Sequence, residues 1–267
     1  QPRVAIAAPP PHGRWRRVNL ILFELHEIDA PLPRRDRRAA HILDVLRRRV
    51  GETFDAGLVN GPRGKATLGA IDAHALSLTF AWGAPPSPLD PITLLIGLPR
   101  PQTARDILRD ATTLGVAALH FVTTEKGEPN YACSTLWSSG EWRRHVILGA
   151  EQAFDPRLPE VSHGRPLAEC IAALPSAAAR LALDNYESPQ SVVVCHLMDD
   201  KPVVVAIGPE RGWSVAERAL LRASGFAFCH LGPRVLRTET AAVAALALVR
   251  AKLGLLGPLN RSGISTP

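Results

Sequence analysis

The residues best suited to chemistry lie between positions 207 and 240, in the stretch IGPERGWSVAERALLRASGFAFCHLGPRVLRTET. Two glycine-proline loops, Gly208-Pro209-Glu210-Arg211-Gly212 and Gly232-Pro233-Arg234, each end an apolar run and each lead towards a helical pattern. Glycine has no Cβ and tolerates positive φ, so Gly208, Gly212 and Gly232 let main chain come close to a ligand. An open α/β sheet binds its ligands in loops at the carboxyl ends of its strands. The ligand is neither a dinucleotide nor a triphosphate by any recognised cradle, because GxGxxG and GxxxxGK[ST] are both absent. A GxSxG nucleophile elbow is absent too. The nine histidines form no HExxH and no Cys/His cluster, so no metal is expected. From residue types alone the chemistry is that of a ligand-binding α/β unit.

The elements that must position these loops are legible. PVVVAI (202–207) is continuously apolar, as a central parallel strand is, and Gly208-Pro209 ends it. Ser214 and Glu217 form an S-x-x-E capping box for a helix that Gly225 stops. FAFCHL (226–231) is a second strand, and Thr238 or Thr240 can cap a last helix running to Gly254. Upstream, ITLLIG, VAALHFV, ARLALD and SVVVCHL read as strands, the last two as buried ones. Residues 102–114, SSGEWRRHVILGAEQAF and RPLAECIAAL read as helices. Such alternation predicts a mostly parallel sheet covered by helices.

Ahead of this lies a different pattern. RVNLILFE, ETFDAGLVNG, KATLGAI and ALSLTFAW are strand-like, with Asn-Gly and Pro-Arg-Gly turns between them, and residues 36–50 are helical up to Gly51. GAPPSPLDP (83–91) carries four prolines and is the expected linker. The resulting division is a disordered leader over 1–13, a small β domain over 14–82, and an α/β domain over 92–267. A chain of 267 residues is long enough for two such cores. Four cysteines at 133, 170, 195 and 229 show no CxxC spacing and are expected to be buried fillers in a reducing cytoplasm. The apolar run Ala241 to Val249 is far short of a membrane span of roughly 20 residues, so no membrane partner is expected.

Charge points to a polyanion. The net charge is +6, and Arg34, Arg35, Arg37, Arg38, Arg47, Arg48 and Arg49 face only Asp36 and Asp44 within residues 34–49. Clustered arginines neutralise phosphates and release counterions, so this segment is the expected nucleic-acid surface, with Arg14, Arg16 and Arg17 beside it.

Residues 207–246, IGPERGWS…E…GF…LGPRVLRTETAAVAAL, closely resemble the signature of the RsmE family of SPOUT methyltransferases, which methylate N3 of a uridine in 16S ribosomal RNA using S-adenosylmethionine. Weaker similarity extends through AEQAFDPRLPEV and ATTLGVAALHFVTTEK to HILDVLRRRVGE, the last resembling the family's PUA-like domain. The resemblance implies a trefoil knot, a homodimer, and ribosomal RNA or the small subunit as partner. It places Ile207, Gly208, Pro209 and Gly212 on one wall of the donor pocket and Leu231, Gly232, Val235 and Leu236 on the other. Arg237, with Arg234 as second candidate, would stabilise charge on the target base or grip its phosphate, and Glu239 would assist proton removal. Three departures stand out: Arg211 replaces a glycine of GPEGG, Asp110-Ala111-Thr112-Thr113-Leu114-Gly115-Val116 stands for KATELGV, and the arginine of EQxxR becomes Asp155, with Arg157 two positions on. Arg211 either has ordinary φ or points outward to RNA phosphate. An RNA-binding paralogue with another target or without catalysis is the alternative these departures raise.

Overall fold

The computed structural model describes residues 20–197 and 201–257. The expected leader over 1–13, and Arg14, Arg16 and Arg17, lie outside the described residues.

The first part is a five-stranded sheet ordered β1-β3-β4-β5-β2, built from β1 (Ile21–Phe23), β2 (Leu32–Pro33), β3 (Thr53–Leu58), β4 (Arg63–Ile71) and β5 (Ala75–Trp82). β1 runs parallel to β3, and the other pairs are antiparallel. Alternation along β5 sends Leu76, Leu78, Phe80 and Trp82 to a core shared with Phe23, Ile42, Phe54 and Leu68. The single helix is shorter than residues 36–50. Helix α1 (Arg37–Ala40), capped by the Asp36 carboxylate, widens into a π turn over His41–Val45 and stops at Leu46. Arg47 then adopts φ 53, a left-handed conformation that ends a right-handed helix well before Gly51.

β6 (Asp90–Gly97) takes up the last two residues of the proline-rich segment. It opens a second sheet of seven strands, ordered β10-β12-β9-β11-β6-β7-β8. The others are β7 (Val116–Thr123), β8 (Glu160–Pro166), β9 (Ala179–Leu183), β10 (Gln190–Ser191), β11 (Val203–Ile207) and β12 (Ala227–His230). Every pairing in it is parallel. With helices on both faces and side chains alternating between them, the central strands are apolar throughout. Val203, Val205 and Ile207 pack against α2 (Pro101–Thr113), α4 (Glu141–Ala153) and α7 (Thr238–Lys252). Val204 and Ala206 face α5 (Leu167–Ala172), α6 (Val215–Ala223) and Trp213 on the other side. A short α3 (Thr135–Ser138) precedes α4.

Three further expectations give way. SVVVCHL is not a buried strand: Ser191 Oγ accepts from Val193 N at 3.3 Å and caps a 3-10 turn over Val192–Val194. That local bond displaces sheet pairing and leaves Val193 and Val194 58% and 67% exposed. Cys133 is exposed, whereas the other three cysteines are buried as expected. Neither Thr238 nor Thr240 caps α7; Arg237 occupies the cap position, and no side chain bonds the first turn.

The two sheets meet along α4 and the turn after it. Leu20 and Leu22 pack on Ala150, with Ile147, Phe154 and Leu158 around them. Arg143 pairs with Glu24 at 2.7 Å, Asn60 N donates to Pro156 O at 2.9 Å, and Arg63 lies over the Phe154 ring at 5.4 Å. Phe154 reverses the chain at φ 57. Arg157 pairs with Asp155 and donates to the Ser87 and Pro88 carbonyls. The departure at Asp155 is therefore a joint between the sheets. Asp110 is accounted for locally as well, paired with Arg109 at 2.8 Å.

Candidate active site

Register places Ile207, at the end of the central β11, opposite Ile96 on one side and Leu183 on the other. Three loops leave these strand ends together, after β9, β11 and β12. With the first turn of α7 and Arg100 and Thr103 of α2's start, they enclose a cavity of about 520 Å3. That lies in the range of small-molecule sites, roughly 300–1,000 Å3.

The loop after β11 is fixed from several directions. Gly208 lies so near the far end of its own loop that a Cβ there would meet Gly212 Cα at 3.2 Å. Gly212 takes φ 66, which closes the turn. Trp213 is fully buried and its Nε1 donates to Leu183 O at 3.1 Å, tying this loop to the end of β9. The expected capping box is present, with Glu217 N donating to Ser214 Oγ and Ser214 N donating to the Glu217 carboxylate at 2.7 Å. The same carboxylate accepts from Glu125 N at 2.8 Å, and Lys126 donates to Trp213 O at 3.0 Å, so the loop after β7 is bound in. Glu210 reaches across to accept from Arg100 N at 3.0 Å, placing a negative charge at the start of α2.

The loop after β9 escaped the sequence reading. Asp184 is buried; one carboxylate oxygen accepts from the Tyr186 and Glu187 amides at 2.7 and 2.8 Å, and the other pairs with buried Arg218 at 2.7 Å. Its signal was available, since ARLALD is followed at once by Asn-Tyr-Glu-Ser-Pro, turn chemistry at a strand end. The lining residues Leu183, Asn185, Tyr186, Trp213 and His230 were likewise not anticipated.

Of the residues carried over to the donor pocket, Ile207, Gly208, Pro209, Gly212, Leu231, Val235 and Leu236 all line the cavity. Gly232 does not. It turns the chain at φ 108 while its N–H donates to His230 Nδ1 at 3.1 Å, so it shapes the loop. Arg237 and Glu239 line the cavity at the uncapped start of α7, and Arg234 lies outside it, exposed. Arg211 is exposed at the same cavity and is not among the positive-φ residues, which settles that its backbone is ordinary. The cavity accordingly combines apolar side chains, glycine-bearing main chain and the cations Arg100, Arg211 and Arg237. Such a set fits S-adenosylmethionine, whose adenine needs apolar cover and main-chain partners.

The arginine cluster divides. Arg34, Arg35, Arg37, Arg47 and Arg49 are exposed on the small sheet's side of the molecule, and Arg48 is half-buried. Arg38 is committed inside that unit and is unsuited to reading RNA. It pairs with Glu27 at 2.6 Å and Asp36 at 2.8 Å, donates to Leu22 O, and lies 5.1 Å from the Phe23 ring. The hydrogen bonds from Arg38 hold Glu27 below the usual carboxylate range. Burial would raise Asp36, but hydrogen bonds from Arg38 outweigh it and lower it as well. Glu151, at the joint between the sheets, moves the other way: burial pushes it up against the opposing hydrogen bond from Leu22 N.

No group of three or more His, Cys, Asp or Glu residues arranged to hold a metal occurs among the described residues. No helix there is long and apolar enough to cross a membrane.

Residues 85–250 match the family described as RNA methyltransferase domain. The chain is similar to the ribosomal RNA small subunit methyltransferase E of Treponema pallidum, with 36% identity over 88% of this chain and 91% of that one. In structure it resembles the ribosomal RNA small subunit methyltransferase E of Neisseria gonorrhoeae bound to S-adenosyl methionine, with TM-score 0.71 and 25% identity over 86% of this chain and 96% of that one. A probable rRNA-methyltransferase from Porphyromonas gingivalis shares the fold at TM-score 0.74 and 24% identity, over 88% and 98% of the two chains.

Proposed function

The chain belongs to the ribosomal RNA small subunit methyltransferase E family, and from that premise we propose that it methylates N3 of a uridine in small-subunit ribosomal RNA. It is an S-adenosylmethionine-dependent methyltransferase acting on ribosomal RNA. The observation that carries the finer reading is the position of Arg237 and Glu239 together at the uncapped start of α7, on the wall of the cavity formed by the three strand-end loops.

S-adenosylmethionine supplies an electrophilic sulfonium methyl. The chain's own residues have two tasks. The first is to hold the donor: Ile207, Leu231, Val235 and Leu236 would cover its apolar surface, and the absence of a Cβ at Gly208 and Gly212 would let the loop's main chain come close to its polar edge. The second concerns the base. Neutral uracil carries a proton on N3, and losing it spreads negative charge onto both flanking carbonyl oxygens. Arg237 is exposed at the cavity and unpaired among the described residues, so it can meet that charge. The free N–H groups of α7's first turn add a positive field in the same place. Glu239, in that first turn, accepts the N3 proton. Arg234, outside the cavity, serves the phosphate backbone.

Further parts of the reading concern architecture. We assign the first sheet to a PUA-like RNA-binding unit and the parallel sheet to a SPOUT unit, joined across residues 83–91. A trefoil knot is supported by β11 lying between β6 and β9, with α6 and α7 on opposite faces. A homodimer is supported by exposed Val193, Val194, Leu255 and Leu256, near the bond from Lys252 Nζ to Val193 O at 2.6 Å. Ribosomal RNA as substrate suits a cytoplasmic protein. Asp110 and Asp155 have local partners and Arg211 has an ordinary backbone; the alternative, an RNA-binding paralogue with another target or without catalysis, is separated by a methyl-transfer assay.

The test is methyl transfer from labelled S-adenosylmethionine to small-subunit particles lacking their own N3-methyluridine, followed by nucleoside analysis. Labelled N3-methyluridine is the expected product. Label on another nucleoside would overturn the position assigned, and donor binding with no label on any RNA would overturn the catalytic reading.

A further inference from the structure

One side chain at the cavity has no task in the scheme above. Tyr186 lines the cavity yet is 80% exposed, an unusual state for an aromatic ring. It is not a loose surface group, because its loop is held at several residues. Asp184 accepts from the Tyr186 and Glu187 amides, Ser188 Oγ donates to Asp184 O at 2.5 Å, and Glu187 pairs with Arg222 at 2.5 Å. The Asp184 anchor is itself locked by the buried pair with Arg218. The Arg218 guanidinium lies 5.7 Å from the Tyr186 ring centroid, so one side of the ring is backed by protein. The other side is open.

A fixed aromatic at the rim of a cavity flanked by exposed Arg211 and Arg237 suits a planar group carried on a polyanion. Bases fit that description, since each has a π-face and stacks on aromatic side chains without regard to sequence. Ile207 and Leu236 already give the donor shielded apolar cover, and Tyr186 differs from the exposed Val235 beside them in offering a flat π-face rather than an aliphatic side chain. We propose that Tyr186 is the stacking platform for the target base, holding the ring plane so that its N3 edge faces the cavity. This rests on the uridine-N3 reading and adds to it the residue that orients the base.

The test compares Tyr186→Ala, Tyr186→Leu and Tyr186→Phe in the full-length enzyme. Steady-state transfer to small-subunit RNA, donor affinity by calorimetry and molecular mass by sedimentation are measured for each. Loss of the ring in the Ala and Leu variants is expected to raise KM for RNA about fivefold to a hundredfold, with donor affinity within about twofold of wild type and mass unchanged. The Phe variant is expected to restore KM, since stacking needs the ring and not the hydroxyl. Wild-type KM in the Ala and Leu variants overturns the proposal. So does a loss of donor affinity of about tenfold, which would make Tyr186 a donor wall, or a changed mass, which would make it a subunit contact. If the wild-type enzyme transfers no methyl to uridine N3, the underlying reading fails and this inference falls with it.

Discussion

Gly97→Ala tests the site through backbone alone. Gly97 ends β6, and a Cβ built there would lie 2.4 Å from Pro209 Cδ and 2.6 Å from Pro209 N. Ordinary carbon separations begin near about 3.5 Å, so strand and loop must separate by about 1 Å. Rotamer changes cannot relieve this, because the atoms struck belong to a proline ring and the main chain. The Gly208–Gly212 loop cannot yield cheaply either: Trp213 anchors it to Leu183 and the Ser214–Glu217 box anchors it to α6. Overpacking of this kind costs about 1–3 kcal/mol of stability. For a protein of this size that corresponds to roughly 2–4 °C of melting temperature per kcal/mol. The larger effect is functional, since a displacement of about 1 Å in a positioned site can cost about a hundredfold. Calorimetric titration with S-adenosylmethionine, alongside a thermal melt, is the assay. The expected result is a modestly lowered melting temperature with donor affinity weakened by about tenfold or more. Wild-type affinity in a folded Gly97→Ala protein would refute the reasoning, because the loop would then be free to move without consequence.

Arg237→Ala is expected to lower kcat for methyl transfer by about 10²–10³ while leaving donor affinity intact, the signature of a group that meets charge only in the transition state. Arg38→Ala and the exposed arginines should separate cleanly: losing Arg38 strands Glu27 and Asp36 and costs about 2 kcal/mol in denaturant unfolding, with no change in the salt dependence of RNA binding. Replacing Arg34, Arg35 or Arg37 with Gln should leave stability alone and reduce the slope of log K against log salt by about 0.7 for each phosphate no longer neutralised. Asp184→Ala leaves buried Arg218 with only the longer contact to Glu187 at 3.6 Å and is expected to cost about 3 kcal/mol, the lower end for a broken buried pair, measured by the denaturant midpoint. Glu151 has a folded pKa raised above its unfolded value, so folding favours its protonated form. Its contribution is complete below the ordinary glutamate range and fades as pH rises through the raised value. Stability measured against pH should therefore show a decline across that interval that Glu151→Gln removes.

Much of the parallel sheet was legible because its signals are local. The apolar run of PVVVAI, the Ser214–Glu217 box and the glycines of the two loops act within a few residues of themselves, so β11 and the start of α6 could be read directly, whereas the residues placed on the cavity wall came from the resemblance. Where a local interaction competes with sheet pairing, pattern alone misleads. The three valines after Ser191 look like a strand, but the serine hydroxyl caps a turn instead. The helix over 36–50 failed for a related reason, since the left-handed backbone of Arg47 leaves no mark in hydrophobic periodicity.

The roles of individual charges needed the folded chain. Seven arginines between 34 and 49 look alike in sequence, and only the approach of Glu27 and Leu22 takes Arg38 out of the set. In sequence Asp155 marks only the loss of an arginine; in the fold it pairs with Arg157, which donates to the Ser87 carbonyl in the segment between the two sheets. Asp184 gains its meaning from Arg218, 34 residues away, and that pair is what raises Tyr186 to the rim of the cavity. Periodicity, caps and turns are short-range and survive in any reading of the chain. Pairing between side chains remote in sequence is set by which surfaces the sheets bury, and so by the tertiary structure.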